Sequence, residues 1–251
     1  MLSRTEPSHK PPDYLKGKIP SVAALATALE SALVYHPAGA LCCRAAWGSQ
    51  YILPDTFTKA YRFGPPRELR PLAGALPFAW LYLAFDLATA IWESQFAKSD
   101  ATAAGEFYLD PAAGKGVLAE IRFSRELVLW DLTGEACSTL GIFDTISSGD
   151  HEACQWIGYH LREAMLQCER GKVPDGFLYP SRRMRGEFAM AIRSDLVPDL
   201  QKIATVVSVP FNQSAEYGQL FNHPLRVDPP DPTGSFGPQW WRRLLVGTSR
   251  R

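Results

Sequence analysis

The sequence predicts an α/β (α+β) fold in a single compact domain, with a small mixed or antiparallel sheet flanked by helices. Three observations carry this. Hydrophobic residues make up 46% of the 251 positions and charged residues 21%, a balance that supports one sizeable core near the upper size for one domain. The apolar run Trp80-Leu81-Tyr82-Leu83-Ala84 suits a buried strand that enters a helix at Asp86. The later half then mixes one long helical pattern with several short strand candidates.

In chain order, residues 1–20 carry Pro7, Pro11, Pro12 and Pro20, which predicts an irregular arm because proline fixes φ and removes a donor. Ser21 can cap a helix through Val22, Leu25, Leu29 and Leu33, ending before His36, Pro37 and Gly39. After the Trp80–Ala84 strand, Asp86 caps a helix that begins at Leu87. Between Leu118 and Leu132, Ile121 and Phe123 alternate with Arg122 and Ser124. The run Leu127-Val128-Leu129-Trp130 follows, predicting strands or a strand pair. Ile157, Leu161, Met165 and Cys168 give helical spacing from His151 to Arg170, with Gly171 as the stop. Gly176–Tyr179, Phe188–Ile192 and Val206–Val209 are further strand candidates. Five prolines between Asn222 and Pro238 predict a meandering segment rather than a second domain. The expected organisation is an arm at 1–20, a catalytic domain at 21–210, and a proline-rich extension at 211–251 packed on that domain.

Lys plus Arg and Asp plus Glu are both 26, so no general attraction to nucleic acid or an anionic membrane is expected. The five cysteines form no C-x-x-C pair, and they read as reduced structural thiols with no metal site. Pro77, Asp86 and Glu93 interrupt the most apolar region, Leu72 to Ala97, which therefore lacks the roughly 20 uncharged apolar residues of a bilayer span. The polar start offers no export signal. A soluble, cytoplasmic chain is expected.

Some residues could carry chemistry. Arg62, in Tyr61-Arg62-Phe63-Gly64-Pro65-Pro66, either is solvated in a turn or clamps a phosphate through its planar donors. Arg44 lies in an apolar stretch, where a charge needs an ion-pair partner or a ligand. Glu93 sits in Ala90-Ile91-Trp92-Glu93-Ser94-Gln95-Phe96. It is either a surface carboxylate or a group on a largely apolar helix that returns to the Asp86 side after nearly two turns.

Together these runs resemble the RES domain, named for its arginine, glutamate and serine. The resemblance continues through Val128-Leu129-Trp130-Asp131-Leu132-Thr133, Ala153-Cys154-Gln155-Trp156-Ile157-Gly158 and Asp175-Gly176-Phe177-Leu178-Tyr179-Pro180-Ser181-Arg182, and spans about residues 40–193. It implies an ADP-ribosyltransferase-like fold and a toxin that breaks the nicotinamide–ribose bond of NAD, or uses NAD for ADP-ribosylation. An Xre-type helix-turn-helix antitoxin is the implied partner, and a homodimer is the alternative assembly.

Matched residue by residue, Arg44 and Arg62 are the family arginines, Tyr82 the strand aromatic, Glu93 the helix carboxylate and Ser181 the serine. A second serine position upstream of Cys154-Gln155 holds Glu152 here, with Ser147 and Ser148 nearby. The implied roles are Arg44 and Arg62 on the pyrophosphate, a ring on Tyr82, Ser181 on ribose or phosphate, and Glu93 beside the oxocarbenium character of the breaking bond. NAD would be the substrate, and no metal is expected. A degenerate fold that only binds NAD or a protein is the alternative from another class.

The Arg67–Leu72 stretch and the residues beyond the family segments depart from the pattern. No G-x-G-x-x-G or G-x-x-x-x-G-K-[ST] is present, which leaves a Rossmann dehydrogenase and a P-loop unsupported. His151 and His160 stand nine apart, unlike an i, i+4 metal pair. Trp240-Trp241-Arg242-Arg243-Leu244-Leu245 must be covered, either by the chain's own core or by a partner.

Overall fold

Alternating side chains build eight strands into one mixed sheet in the computed structural model, which describes residues 9–100, 104–169 and 171–230. The strands are β1 (Leu33–His36), β2 (Leu41–Ala46), β3 (Trp80–Ala84), β6 (Val117–Phe123), β7 (Leu127–Asp131), β8 (Gly176–Pro180), β9 (Phe188–Arg193) and β10 (Ala204–Pro210). Between β3 and β6, β4 (Ala97–Ser99) pairs with β5 (Phe107–Leu109) in a separate ladder. The helices are α1 (Val22–Leu29), α2 (Leu87–Glu93), α3 (Glu135–Thr139), α4 (Phe143–Ser147), α5 (His151–Leu166), α6 (Val197–Ile203) and α7 (Ala215–Phe221).

The order across the main sheet is β1-β7-β8-β9-β3-β2-β6-β10. Only β7 and β8 run parallel; the other neighbours are antiparallel. Although β6 and β7 follow one another through Ser124-Arg125-Glu126, they are not paired with each other and stand near opposite ends of the sheet. Four Cα steps reach at most about 14 Å, so the sheet must curl to bring its ends together. Leu81, Leu83, Ile121, Phe123, Leu127, Leu129, Met190 and Ile192 fill one face of that curl. Arg125 secures β7 to β8 by a bidentate pair with Asp175 at 2.8 Å, and Asp175 also accepts from the Val128 amide.

Helices cover the opposite face in two groups. Trp80, Trp130, Phe177 and Tyr179 pack with α1 and α5. Cys43, Ala45, Ala84 and Leu118 pack with α2, Phe96 and Phe211. Helix α5 is buried continuously from Ala153 to Leu161, as a helix that is apolar on most sides must be. Asp150 caps it through the Ala153 amide. Its Gly158 permits a backbone contact that fixes a loop: an added Cβ would lie 2.1 Å from the Phe63 carbonyl oxygen. That oxygen accepts from Trp80 Nε1 at 2.8 Å, and the Phe63 amide donates to the Tyr82 hydroxyl at 3.0 Å.

Several elements differ from expectation. Ser21 does cap α1, accepting from the Ala24 amide, but the helix stops at Leu29. Leu33 belongs to β1, where Leu33–His36 pairs with Leu127–Trp130; strand pairing overrides the helical spacing. Helix α5 ends at Leu166 rather than near Arg170, and Cys168 packs from the following turn with its thiol toward the Ala164 carbonyl. The five cysteines are free, as expected. Burial pushes the Cys42, Cys43 and Cys137 thiols up to about 12. No helix of the described residues is long and apolar enough to cross a membrane. The Trp240–Leu245 segment lies outside the described residues.

The Gly158 contact yields a stability prediction. Gly158→Ala should cost about 1–3 kcal/mol, since the Phe63 backbone must move, and lower the melting temperature. Gly114→Ala, which would meet nothing within 4 Å, should leave it unchanged.

Candidate active site

Strands β2 and β3 meet at a single register pair, Cys43↔Ala84, and a cleft opens where they part. Its volume of about 240 Å³ far exceeds the roughly 10–15 Å³ that holds one water and lies just below the roughly 300–1,000 Å³ usual for small-molecule pockets. Arg44, Arg62, Tyr82 and Glu93 all line it, although they come from β2, a loop, β3 and the end of α2.

Arg44 continues the link that the ladder leaves unmade. Its Nη1 donates to the Tyr82 carbonyl at 2.5 Å and its Nε to the Tyr51 carbonyl at 3.0 Å. Among the described residues it makes no ion pair; two backbone carbonyls take that place. Burial pulls the guanidinium down to about 10, opposed by Tyr61, Tyr179 and Tyr82, so it stays charged at neutral pH.

Arg62 is not solvated. Only 6% of it is exposed, and Nε, Nη1 and Nη2 all lack a hydrogen-bond partner. Its Cζ stands 5.2 Å from the Phe63 ring centre and 5.8 Å from that of Tyr179, contacts worth about 0.5–2 kcal/mol each. The three nitrogens are themselves buried, and the charge lies close enough to the Cys154 thiol to lower its pKa against the effect of burial. A desolvated cation with unmet donors behind a cleft wall has the chemistry to receive an anion.

Tyr82 anchors the same loop by accepting from the Phe63 amide, and its ring meets those of Tyr61 and Tyr179 edge-on at 6.0 and 6.3 Å. Burial raises the Tyr82 and Tyr179 hydroxyls well above their ordinary range, so both remain protonated.

Glu93 is half-buried, and its Oε1 accepts from Ser181 Oγ at 2.6 Å. Ser181 in turn accepts from the Met184 amide at 3.0 Å and the Arg183 amide at 3.3 Å. This serine reaches the glutamate rather than the cleft, whose lining does not include it. Glu152, Ser147 and Ser148 do not line the cleft either. Glu152 is exposed and takes the Tyr14 hydroxyl.

Sequence reasoning passed over several cleft residues. Arg182 and Arg183 follow Ser181 into it. His151, read from sequence with His160 as a core or surface residue, lines it too, and its Nε2 accepts from Arg182 Nη2 at 3.1 Å. Burial, then the charges of Arg182, Arg62 and Arg183, lower the His151 pKa. His160, by contrast, donates Nδ1 to the Pro20 carbonyl inside the core. Gln95 is the one non-glycine residue with positive φ among the described residues, at 63°. It follows the end of α2, where glycine is the usual occupant, and the left-handed geometry costs an L-residue about 1 kcal/mol or more. The adjacency of Arg182 and Arg183 to Ser181 was a usable signal; the Gln95 backbone angle had none. Among the described residues no three potential metal ligands cluster.

Comparison with known proteins gives one match. The RES domain family model covers residues 44–216, more than two thirds of the chain, and begins at Arg44. Neither the curated proteins nor the solved structures contain a match. On the strength of that coverage the chain belongs to the RES domain family, which is associated with toxin-like enzymes acting on NAD.

Proposed function

We propose that this chain cleaves the nicotinamide–ribose bond of NAD in the cleft that opens where β2 and β3 part. The observation that supports it most is Arg62, a buried cation with three unpartnered nitrogens on the wall that also holds Glu93. A dinucleotide suits that pair: its pyrophosphate takes the guanidinium donors while a ribose lies against the carboxylate.

In the proposed step the bond between ribose C1′ and the pyridinium nitrogen breaks, and its electron pair leaves with neutral nicotinamide. Positive charge builds on C1′ and the ring oxygen, where the Glu93 carboxylate stabilises it. Water then bonds to C1′ and loses a proton, giving ADP-ribose. Inorganic phosphate or a protein nucleophile could take the place of water in the same geometry. Ser181 is a positioning residue in this scheme, since its hydroxyl directs Glu93 Oε1. Arg44 also faces the cleft, with two of its donors held by backbone carbonyls. In the cell the activity would deplete NAD and arrest growth, restrained by an Xre-type antitoxin.

Purified protein incubated with NAD, with products identified by mass spectrometry, tests the reading. Free nicotinamide with ADP-ribose supports hydrolysis, phosphorylated ADP-ribose identifies phosphate as acceptor, and mass added to protein identifies transfer. Binding without nicotinamide release would leave a degenerate, ligand-binding domain.

Three variants sharpen it. Glu93→Gln should keep the fold and lower nicotinamide release at least about a hundredfold, the scale of losing one transition-state charge. Arg62→Met should weaken NAD binding about tenfold or more in calorimetric titration without lowering the melting temperature, because it removes an unpaired buried charge. Ser181→Ala should lower kcat about tenfold with little change in KM, since Glu93 loses the donor that orients it.

A further inference from the structure

Gln95 is two residues beyond Glu93 and lies in the cleft wall. Its backbone is held at φ 63° by the turn that ends α2: its amide donates to the Trp92 carbonyl and the Phe96 amide to the Ile91 carbonyl, both at 3.1 Å. Glycine would satisfy that geometry without strain. The side chain retained there is half-buried, and among the described residues its carboxamide makes no hydrogen bond. No side-chain hydrogen bond to the described residues therefore offsets the strain. It is also the only carboxamide among the described residues that line the cleft.

An aromatic surface lines the same cleft. The ring of Phe96, the next residue, meets Trp47 at 4.9 Å, and Trp47 lines the cleft with 40% of its surface exposed. An indole and an unpaired amide in the lining of one cleft offer stacking for a flat heteroaromatic ring, and one donor and one acceptor for a substituent on it.

We infer that Gln95 is a specificity-determining residue that selects a pyridine ring bearing a carboxamide over one bearing a carboxylate. This rests on the proposed cleavage of NAD, whose leaving group is such a ring and would depart within reach of Glu93. A primary amide on the ring pairs with Gln95 through complementary donor and acceptor. A carboxylate has no donor, so it leaves the Gln95 carbonyl unmatched and sets two acceptors against each other. A site built to hydrogen-bond one group rejects the analogue that cannot return the bond.

The experiment compares NAD with its carboxylate analogue, nicotinic acid adenine dinucleotide, on the wild type and on Gln95→Gly. Glycine is compatible with the backbone at this position, so the variant keeps the fold, and its melting temperature should equal or exceed that of the wild type. The wild type should favour NAD at least tenfold in kcat/KM. Gln95→Gly should lose tenfold or more on NAD, mainly through KM, and bring the two substrates to within about threefold. A purely structural Gln95 would depress both substrates equally, and an unchanged ratio, or a wild type that does not discriminate, overturns the assignment. If the wild type cleaves neither dinucleotide, the proposed reaction fails, and calorimetric binding of the two then decides the assignment separately. Preferential binding of NAD that is lost in Gln95→Gly upholds it, and equal or undetectable binding of both overturns it.

Discussion

The constraint on which the site depends is a buried guanidinium, Arg62, without a counter-ion among the described residues. Removing a charge from water costs several kcal/mol even after relaxation, and Arg62 recovers only part of that from the rings of Phe63 and Tyr179. Its position is therefore maintained by its neighbour. Phe63 is tied at both backbone ends, to the Tyr82 hydroxyl and Trp80 Nε1, and it is pressed against the missing side chain of Gly158. Strand β3 and helix α5 thus act as a clamp, and the free energy of the surrounding core offsets the charge they hold.

The same strand sets the cleft's other boundary. Trp80, Tyr82 and Ala84 point away from the face that carries Leu81 and Leu83, by the two-residue period of a strand. Tyr82 consequently stands between the two helical layers, where neither α5 nor α2 covers it fully. Because β2 touches β3 at only one register pair, Arg44 can use its guanidinium to span the gap to the Tyr82 carbonyl. The opening in the sheet and the cation that faces it have one origin.

Much of this was legible in the residues. Trp80–Ala84 and the Asp86 cap gave β3 at its observed bounds and α2 at its observed start, because an apolar run followed by a capping carboxylate is a local signal. Leu33 was misread because helical spacing is also local, whereas its pairing with Trp130 is not. Likewise, nothing near Ser124-Arg125-Glu126 reveals that β6 and β7 seek different partners across a curled sheet. Arg44, Arg62, Tyr82 and Glu93 were found through their resemblance to family motifs, and they do converge. That resemblance could not show that Ser181 stands behind Glu93, or that Gln95 adopts a left-handed backbone, since both depend on tertiary placement.

The strand order also governs how the chain assembles. Strand β3 is flanked by β2, about forty residues earlier, and by β9, more than a hundred residues later. Its floor can be completed only after that long intervening segment has been synthesised and closed. Pairings so remote in sequence are entropically late and place a domain toward the millisecond-to-second end of folding rates. Local turns and α5 can form early, but the enclosure of Arg62 has no early version: it is complete only when Phe63, Tyr179 and Gly158 have come together from distant stretches. The cleft wall around Arg62 is thus completed only when the last ladders zip, with global folding rather than ahead of it.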